Sequence, residues 1–371
     1  MSQLPQDNKI LLLTPGPLTT AHDVRQAMTL DWGSREEDFT ALTRRIRSKL
    51  IAAASADDDY TALMLQGSGT FAVEAMLGTF VPRDGKLLVL INGGYGHRMV
   101  AMCKQMGRAV TSLEWPENEP VDPLQVQVAL RKNAEVTHVA IVHVETTTGL
   151  LNPIQEVARV VEAEGRRFLV DAMASFGALP LDLSDTRPDA VAASSNKCLE
   201  STPGIGIILC SKDAIEKTAG NATSLSLDLH GQWLGFESNS QWRFTPPVQV
   251  VAALDTALDL LEQEGGATAR LARYRQNCDL LLDGMASMQI MSYLRREAQA
   301  PIITTFHPPA HAGYHFNDFH AALLGQGFAI YPGKLTKQAS FRVGCIGQVF
   351  PNDIRRFLHV AAEILQRMGA L

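Results

Sequence analysis

The sequence predicts an α/β fold: a mainly parallel β-sheet with helices on both faces, followed by a smaller α+β unit. Two observations carry this. From about Tyr60 to Cys210 one pattern recurs, a short apolar run, a polar or glycine turn, then an amphipathic stretch, and strands alternating with helices form parallel sheets. The runs at 63–65, 87–91, 139–144, 168–170, 190–193 and 205–209 are also near-continuously apolar, as strands covered on both faces must be. Right-handed crossovers then gather the loops after these strands along one sheet edge, the usual location of a site.

Between the runs, residues 71–80 and 153–163 carry helical spacing. A long amphipathic helix at 249–264 leads into the second unit. Beyond about Ala267 the expected elements are helices at 271–288, 317–324 and 352–368, with strands near 302–306 and 341–343. The expected division is an N-terminal segment (1–20), a large domain (21–265) and a small C-terminal domain (266–371). A chain of 371 residues is long enough for two such cores.

Hydrophobic residues at 46% and charged residues at 19% fit a soluble globular chain. The formal charge of −6 gives no cationic face for nucleic acid or an anionic membrane. The N-terminal stretch lacks a basic region followed by a long apolar one, and the apolar runs are strand-sized, so a cytoplasmic location is expected. Five dispersed cysteines (Cys103, Cys198, Cys210, Cys278, Cys345) without CxxC spacing suit a reducing compartment and give no structural zinc motif. Cys198 is expected to pack as a small apolar group. His307, His311 and His315 recur every fourth residue, but Pro308, Pro309 and Gly313 break the helix that would align them, so no metal site is expected.

Four pieces carry chemistry. Val191-Ala192-Ala193-Ser194-Ser195-Asn196-Lys197 is a small-residue strand end that delivers a lysine into a turn. By itself Lys197 fits an exposed loop lysine better than a buried amine, since most loop lysines are solvated. Phe168-Leu169-Val170-Asp171 ends another apolar strand in a carboxylate on the same sheet edge. Beside a protonated ring nitrogen such an acid supports an electron sink; at a strand end it equally suits a helix cap. Gly67-Ser68-Gly69-Thr70 follows one strand and opens a helix, an anion cup of backbone N–H groups and hydroxyls. Gly67, Gly69 and Ala72 also fit a dinucleotide fingerprint, but the next strand ends in Asn92-Gly93-Gly94 without the acid that reading requires. In Asn92-Gly93-Gly94-Tyr95-Gly96-His97-Arg98 an aromatic sits in a glycine-rich turn, free to lie on a ring or simply to pack.

These pieces, in this order, resemble the class V, fold-type I, pyridoxal-phosphate (PLP)-dependent aminotransferases from Thr14-Pro15-Gly16-Pro17 to Phe341-Arg342-Val343-Gly344. The segments LLLTPGPLTT, LDWGSREEDF, QGSGTFAVEAML, INGGYGHRM, HVETTTGLLNPI, VDAMASFGALP and SSNKCLESTPGIG are similar to the members that pair 2-aminoethylphosphonate with pyruvate. The resemblance implies a mainly parallel seven-stranded sheet and a homodimer with two interface sites. It implies Lys197 as the Schiff-base lysine, Asp171 as partner of the ring nitrogen, and Tyr95 as the stacking aromatic. Ser68, Gly69 and Thr70 would form the phosphate cup, with Asn196 beside the lysine. Thr245 would reach the phosphate in the other subunit. Thr146 would lie near the cofactor and the substrate, and Arg342 would anchor the substrate, its fork suiting a carboxylate or a phosphonate. The expected activity is a ping-pong transamination giving phosphonoacetaldehyde and L-alanine. The rivals are an alanine– or serine–glyoxylate aminotransferase built from the same parts, and a non-catalytic PLP-fold binding module.

Overall fold

A computed structural model describes residues 10–335 and 338–371; the first nine residues of the N-terminal segment, where a targeting signal would begin, lie outside them. Seven strands form the central sheet: β1 Tyr60–Gln66, β2 Lys86–Ile91, β3 Ala109–Glu114, β4 His138–Val142, β5 Arg167–Asp171, β6 Ala190–Ser194 and β7 Ile205–Ser211. Their spatial order is β1-β7-β6-β5-β4-β2-β3. The run from β6 to β3 is parallel throughout, whereas β7 lies antiparallel to both β1 and β6. All strands except β7 therefore end on one edge.

The central strands β4 and β6 are buried along their whole length, and helices cover both faces. β3 (AVTSLE) escapes the apolar-run criterion because it is the sheet's edge and is largely exposed. β4 stops at Val142, short of the expected 144, because Val144–Glu145 turns away to pair with Leu150–Leu151. The helix Val248–Glu264 leads through Gly265, in the left-handed region, into the helix Gly266–Ser287.

Beyond it, β8 Ile303–Phe306, β9 Tyr331–Pro332 and β10 Phe341–Gly344 form an antiparallel sheet with β10 in the middle. Its core gathers Met285, Phe306, Phe319, Phe341 and Phe357, and the N-terminal Leu11 and Leu13 join it. Leu11–Leu12 pairs in parallel with Phe328–Ala329. The Gly344 N–H donates to the Leu13 carbonyl at 2.9 Å, and a Cβ on Gly344 would stand 2.3 Å from the Thr14 carbonyl oxygen. That contact leads Thr14, Pro15 and Gly16 from the C-terminal sheet toward the central sheet's edge, where Lys197 emerges.

Candidate active site

The edge where β1, β2, β4, β5 and β6 end assembles the sequence-predicted residues. Ser68, Thr70, Tyr95, Asp171, Asn196 and Lys197 line a single cavity of about 170 Å³, and Gly69 lies in the same wall. The cup works through its backbone. Gly67, at φ +141°, turns the chain out of β1, and the helix Gly69–Phe80 starts after Ser68, whose side chain makes no capping bond. The first N–H groups of that helix thus keep their capacity for an anion.

Lys197 is enclosed. Its ammonium donates to the Pro15 carbonyl, and burial lowers its pKa to about 8, helped by the cations Arg342 and Lys334 and opposed by Cys198 and Asp171. Gly16 is there because nothing larger fits. Its φ is +121°, and a Cβ would meet the lysine Nζ at 2.8 Å. Asp171 is buried, and burial raises its pKa to about 6, against the Met173 N–H and the charges of Arg98 and Lys197. Its Oδ1 accepts the Met173 N–H at 2.9 Å, so it stabilises a local turn while lining the cavity; no helix follows directly. The amine and the acid are thus both pushed toward neutrality, a state that burial with few partners produces and that functional sites favour.

Arg342, on the middle strand β10, is buried. Its Nη1 donates to the Thr146 carbonyl at 2.8 Å and its Nε to the Pro332 carbonyl at 3.1 Å. Among the described residues no carboxylate lies within ion-pair distance of it, so its charge is held in place by dipoles and stays open to an anion. Burial lowers its pKa, offset by Tyr95, Tyr331 and Glu145. Thr146 is buried. Thr245 is exposed and lies outside this cavity's wall; one chain does not bring it to the cup.

Three residues of the site went unassigned in the sequence. Glu145 is fully buried; its carboxylate accepts from the Tyr95 N–H at 3.1 Å and from the N–H and hydroxyl of Thr147 at 3.1 and 2.9 Å. It holds the Tyr95 turn and the Thr146 loop together, and a Cβ on Gly93 would come within 2.2 Å of it. Burial raises its pKa; its three partners are all donors, which favours the carboxylate. Arg98 lies with its guanidinium 4.6 Å from the Tyr95 ring centre and donates to the Thr70 hydroxyl at 3.2 Å. Ser194 lines the cavity, and its buried Oγ has no hydrogen-bond partner among the described residues. Glu145 and Arg98 sit inside the motifs around Thr146 and Tyr95, but a lone acid or arginine in a loop carries no signal of its own.

The cavity fits PLP by the chemistry of its donors: an uncapped helix terminus for a phosphate, a carboxylate opposite, a spare hydroxyl, and a lysine poised near neutrality. Residues 25–349 match the family model described as aminotransferase class-V. The chain belongs to the class V aminotransferases. Two relatives, the 2-aminoethylphosphonate–pyruvate transaminases of Pseudomonas putida and Pseudomonas aeruginosa, are 48% and 47% identical, covering 98% and 97% of this chain and 99% and 97% of their own. The alanine–glyoxylate aminotransferase of a Nostoc species superimposes with a TM-score of 0.88 at 26% identity, covering 98% of each chain. The pyridoxamine–pyruvate aminotransferase of Mesorhizobium loti gives 0.89 at 24%, covering 100% of this chain and 95% of its own, a likeness of fold.

Cys198 is buried, its thiol donating to the Ala174 carbonyl at 3.3 Å, and burial raises its pKa to about 12, which makes it an inert packing group. Among the described residues no three His, Cys, Asp or Glu side chains come together as a metal site, and no helix is long and apolar enough to cross a membrane.

Proposed function

We propose that this chain transfers the amino group of 2-aminoethylphosphonate to pyruvate, giving phosphonoacetaldehyde and L-alanine, with PLP as cofactor. The observation that carries the reading is Arg342, a buried guanidinium with no carboxylate within ion-pair distance among the described residues, which lies outside the cavity wall but near enough for its charge to act on Lys197. The substrates implied by the Pseudomonas relatives each offer one anionic end to such a fork.

Bound in the cavity, PLP supplies an aldehyde to take up the amino group and a ring to withdraw electrons from the carbon that loses its proton. The residues divide the remaining work. Ser68, Gly69 and Thr70 hold the phosphate, with Asn196 beside the lysine. Tyr95 would stack against the ring and Asp171 would keep the ring nitrogen charged. Lys197 would hold the cofactor through its amine, and the same amine is the group placed to move the proton. Arg342 fixes the anionic end of each substrate in turn, so donor and acceptor use one site alternately. Thr146, whose carbonyl holds Arg342, would stand beside both cofactor and substrate.

In this reading the functional unit is a homodimer, with Thr245 completing the partner's phosphate cup. The exposed Phe71, beside the cup, and Phe244, next to Thr245, support it. The large domain would span 21–265 and the small one 266–371, and the location would be cytoplasmic.

The test is a half-reaction followed by cofactor absorbance. The PLP-loaded protein is expected to convert to the pyridoxamine form on adding 2-aminoethylphosphonate, and pyruvate is expected to reverse it. No change with the aminophosphonate, together with conversion by alanine and reversal by glyoxylate, would assign the chain to the glyoxylate aminotransferases instead.

A further inference from the structure

Behind Lys197, on the side away from the cavity, lies a second group of buried charges with no part in the chemistry above. The turn that carries the lysine closes with the Glu200 N–H donating to the Lys197 carbonyl at 2.8 Å. Glu200 has φ +57°, a conformation an L-residue keeps only where its surroundings hold it. Its carboxylate is what they hold. The Tyr274 hydroxyl donates to it at 2.5 Å, Arg273 at 2.8 Å and Gln348 at 2.7 Å. Arg270 lies 3.9 Å from the same carboxylate, and its Nη1 donates to the Cys198 carbonyl at 2.8 Å, a second clamp on the turn.

The same side chains also grip the segment that follows Arg342. Arg273 donates to the Gly347 carbonyl at 2.6 Å, and the Tyr274 hydroxyl accepts the Gly347 N–H at 3.4 Å. Asn277 donates to the Cys345 and Val349 carbonyls at 3.1 and 2.9 Å. Glu200, Arg270 and Tyr274 are almost wholly buried, so these bonds are not diluted by water.

We infer that Glu200 is a positioning residue that ties the Lys197 turn to the segment following Arg342, fixing the separation between the reacting amine and the anion anchor. The inference rests on the proposed function, in which each substrate is held at one end by the Lys197 cofactor and at the other by Arg342. Two distant stretches of chain supply those ends, and the Glu200 carboxylate is bonded on both sides. Tyr274 and Gln348 are the links that can be cut while leaving the buried ions paired. Tyr274→Phe removes the hydroxyl between Glu200 and Gly347, and Gln348→Ala removes a partly exposed donor.

The test compares the PLP-loaded wild type with these two variants. Ethylphosphonate, the donor without its amine, reports binding at the anchor through the cofactor absorbance. Its Kd and the KM for both substrates are expected to rise about fivefold in Tyr274→Phe, the scale of one positioning hydrogen bond, with kcat within about twofold of wild type. Gln348→Ala is expected to move the same way by less. A lowered melting temperature with unchanged Kd and KM would make the network merely structural and overturn the inference. Should Tyr274→Phe fail to fold, Gln348→Ala decides by the same criterion. A wild type that loads PLP but ignores ethylphosphonate would contradict the proposed substrate instead. The KM of the keto acid it does accept, pyruvate or glyoxylate, then reads the network.

Discussion

Two groups of buried charge lie on either side of the Lys197–Glu200 turn and follow opposite rules. On the cavity side the charges are short of partners. Among the described residues Lys197 reaches one backbone carbonyl and Asp171 accepts one backbone N–H, and burial moves the amine down to about 8 and the acid up to about 6. On the far side the charges are saturated. Arg270 and Arg273 both pair with Glu264 at 2.8 Å, and Arg273 pairs with Glu200 at the same distance. The difference separates two uses of burial. A buried charge left under-satisfied is reactive, and one fully paired holds backbone in place.

Exchanging one residue from each group should split activity from stability. Arg270→Met leaves Glu200 and Glu264 with a partner fewer in a buried setting, and it is expected to cost about 3–5 kcal/mol of folding stability, measured by denaturant unfolding. Asp171→Asn is expected to fold with near-normal stability while kcat falls by ~10²-fold or more, the scale of losing one preorganised electrostatic partner. An Arg270→Met protein as stable as wild type, or an Asp171→Asn enzyme of normal turnover, would erase the distinction.

A smaller effect concerns pH. Below about pH 8 Lys197 is protonated in the folded and unfolded states alike, and its buried charge costs stability in full. Between about 8 and the ordinary lysine value the unfolded chain binds the extra proton, so stability rises with pH and the cost disappears. Lys197→Met without cofactor is therefore expected to melt above the wild-type apoprotein at pH 7, with the gap narrowing by pH 10. A gap that is absent at pH 7, or that widens with pH, would mean that the lysine is not desolvated.

Most of the fold was legible because strands buried on both faces must be continuously apolar, and six of the seven central strands are. The edge strand β3 was not, since exposure on the outer face lets Thr111, Ser112 and Glu114 in. The reversal of β7 was also invisible, because a buried strand reads the same in either direction. Within the site, residues delivered by strand ends or short motifs (Lys197, Asp171, Ser68–Gly69–Thr70, Tyr95) were legible from local pattern, while Arg342 and Thr146 needed the family resemblance. Glu145 and the Glu200 network were not: besides its neighbour Thr147, Glu145 reaches Tyr95, 50 positions away, and the Glu200 carboxylate is held by Arg273, Tyr274 and Gln348, 73, 74 and 148 positions away, so no local spacing announces them. Thr245 stands apart for a third reason: its proposed place depends on a second chain.

In the proposed reaction Lys197 is the residue that carries the cofactor. Borohydride reduction of the PLP-loaded protein, followed by mass mapping of its peptides, tests this directly. One pyridoxyl-phosphate adduct is expected, on Lys197, and none in a Lys197→Ala variant. An adduct confined to another lysine, or an unmodified Lys197 in a protein that has bound PLP and turns over substrate, would contradict it.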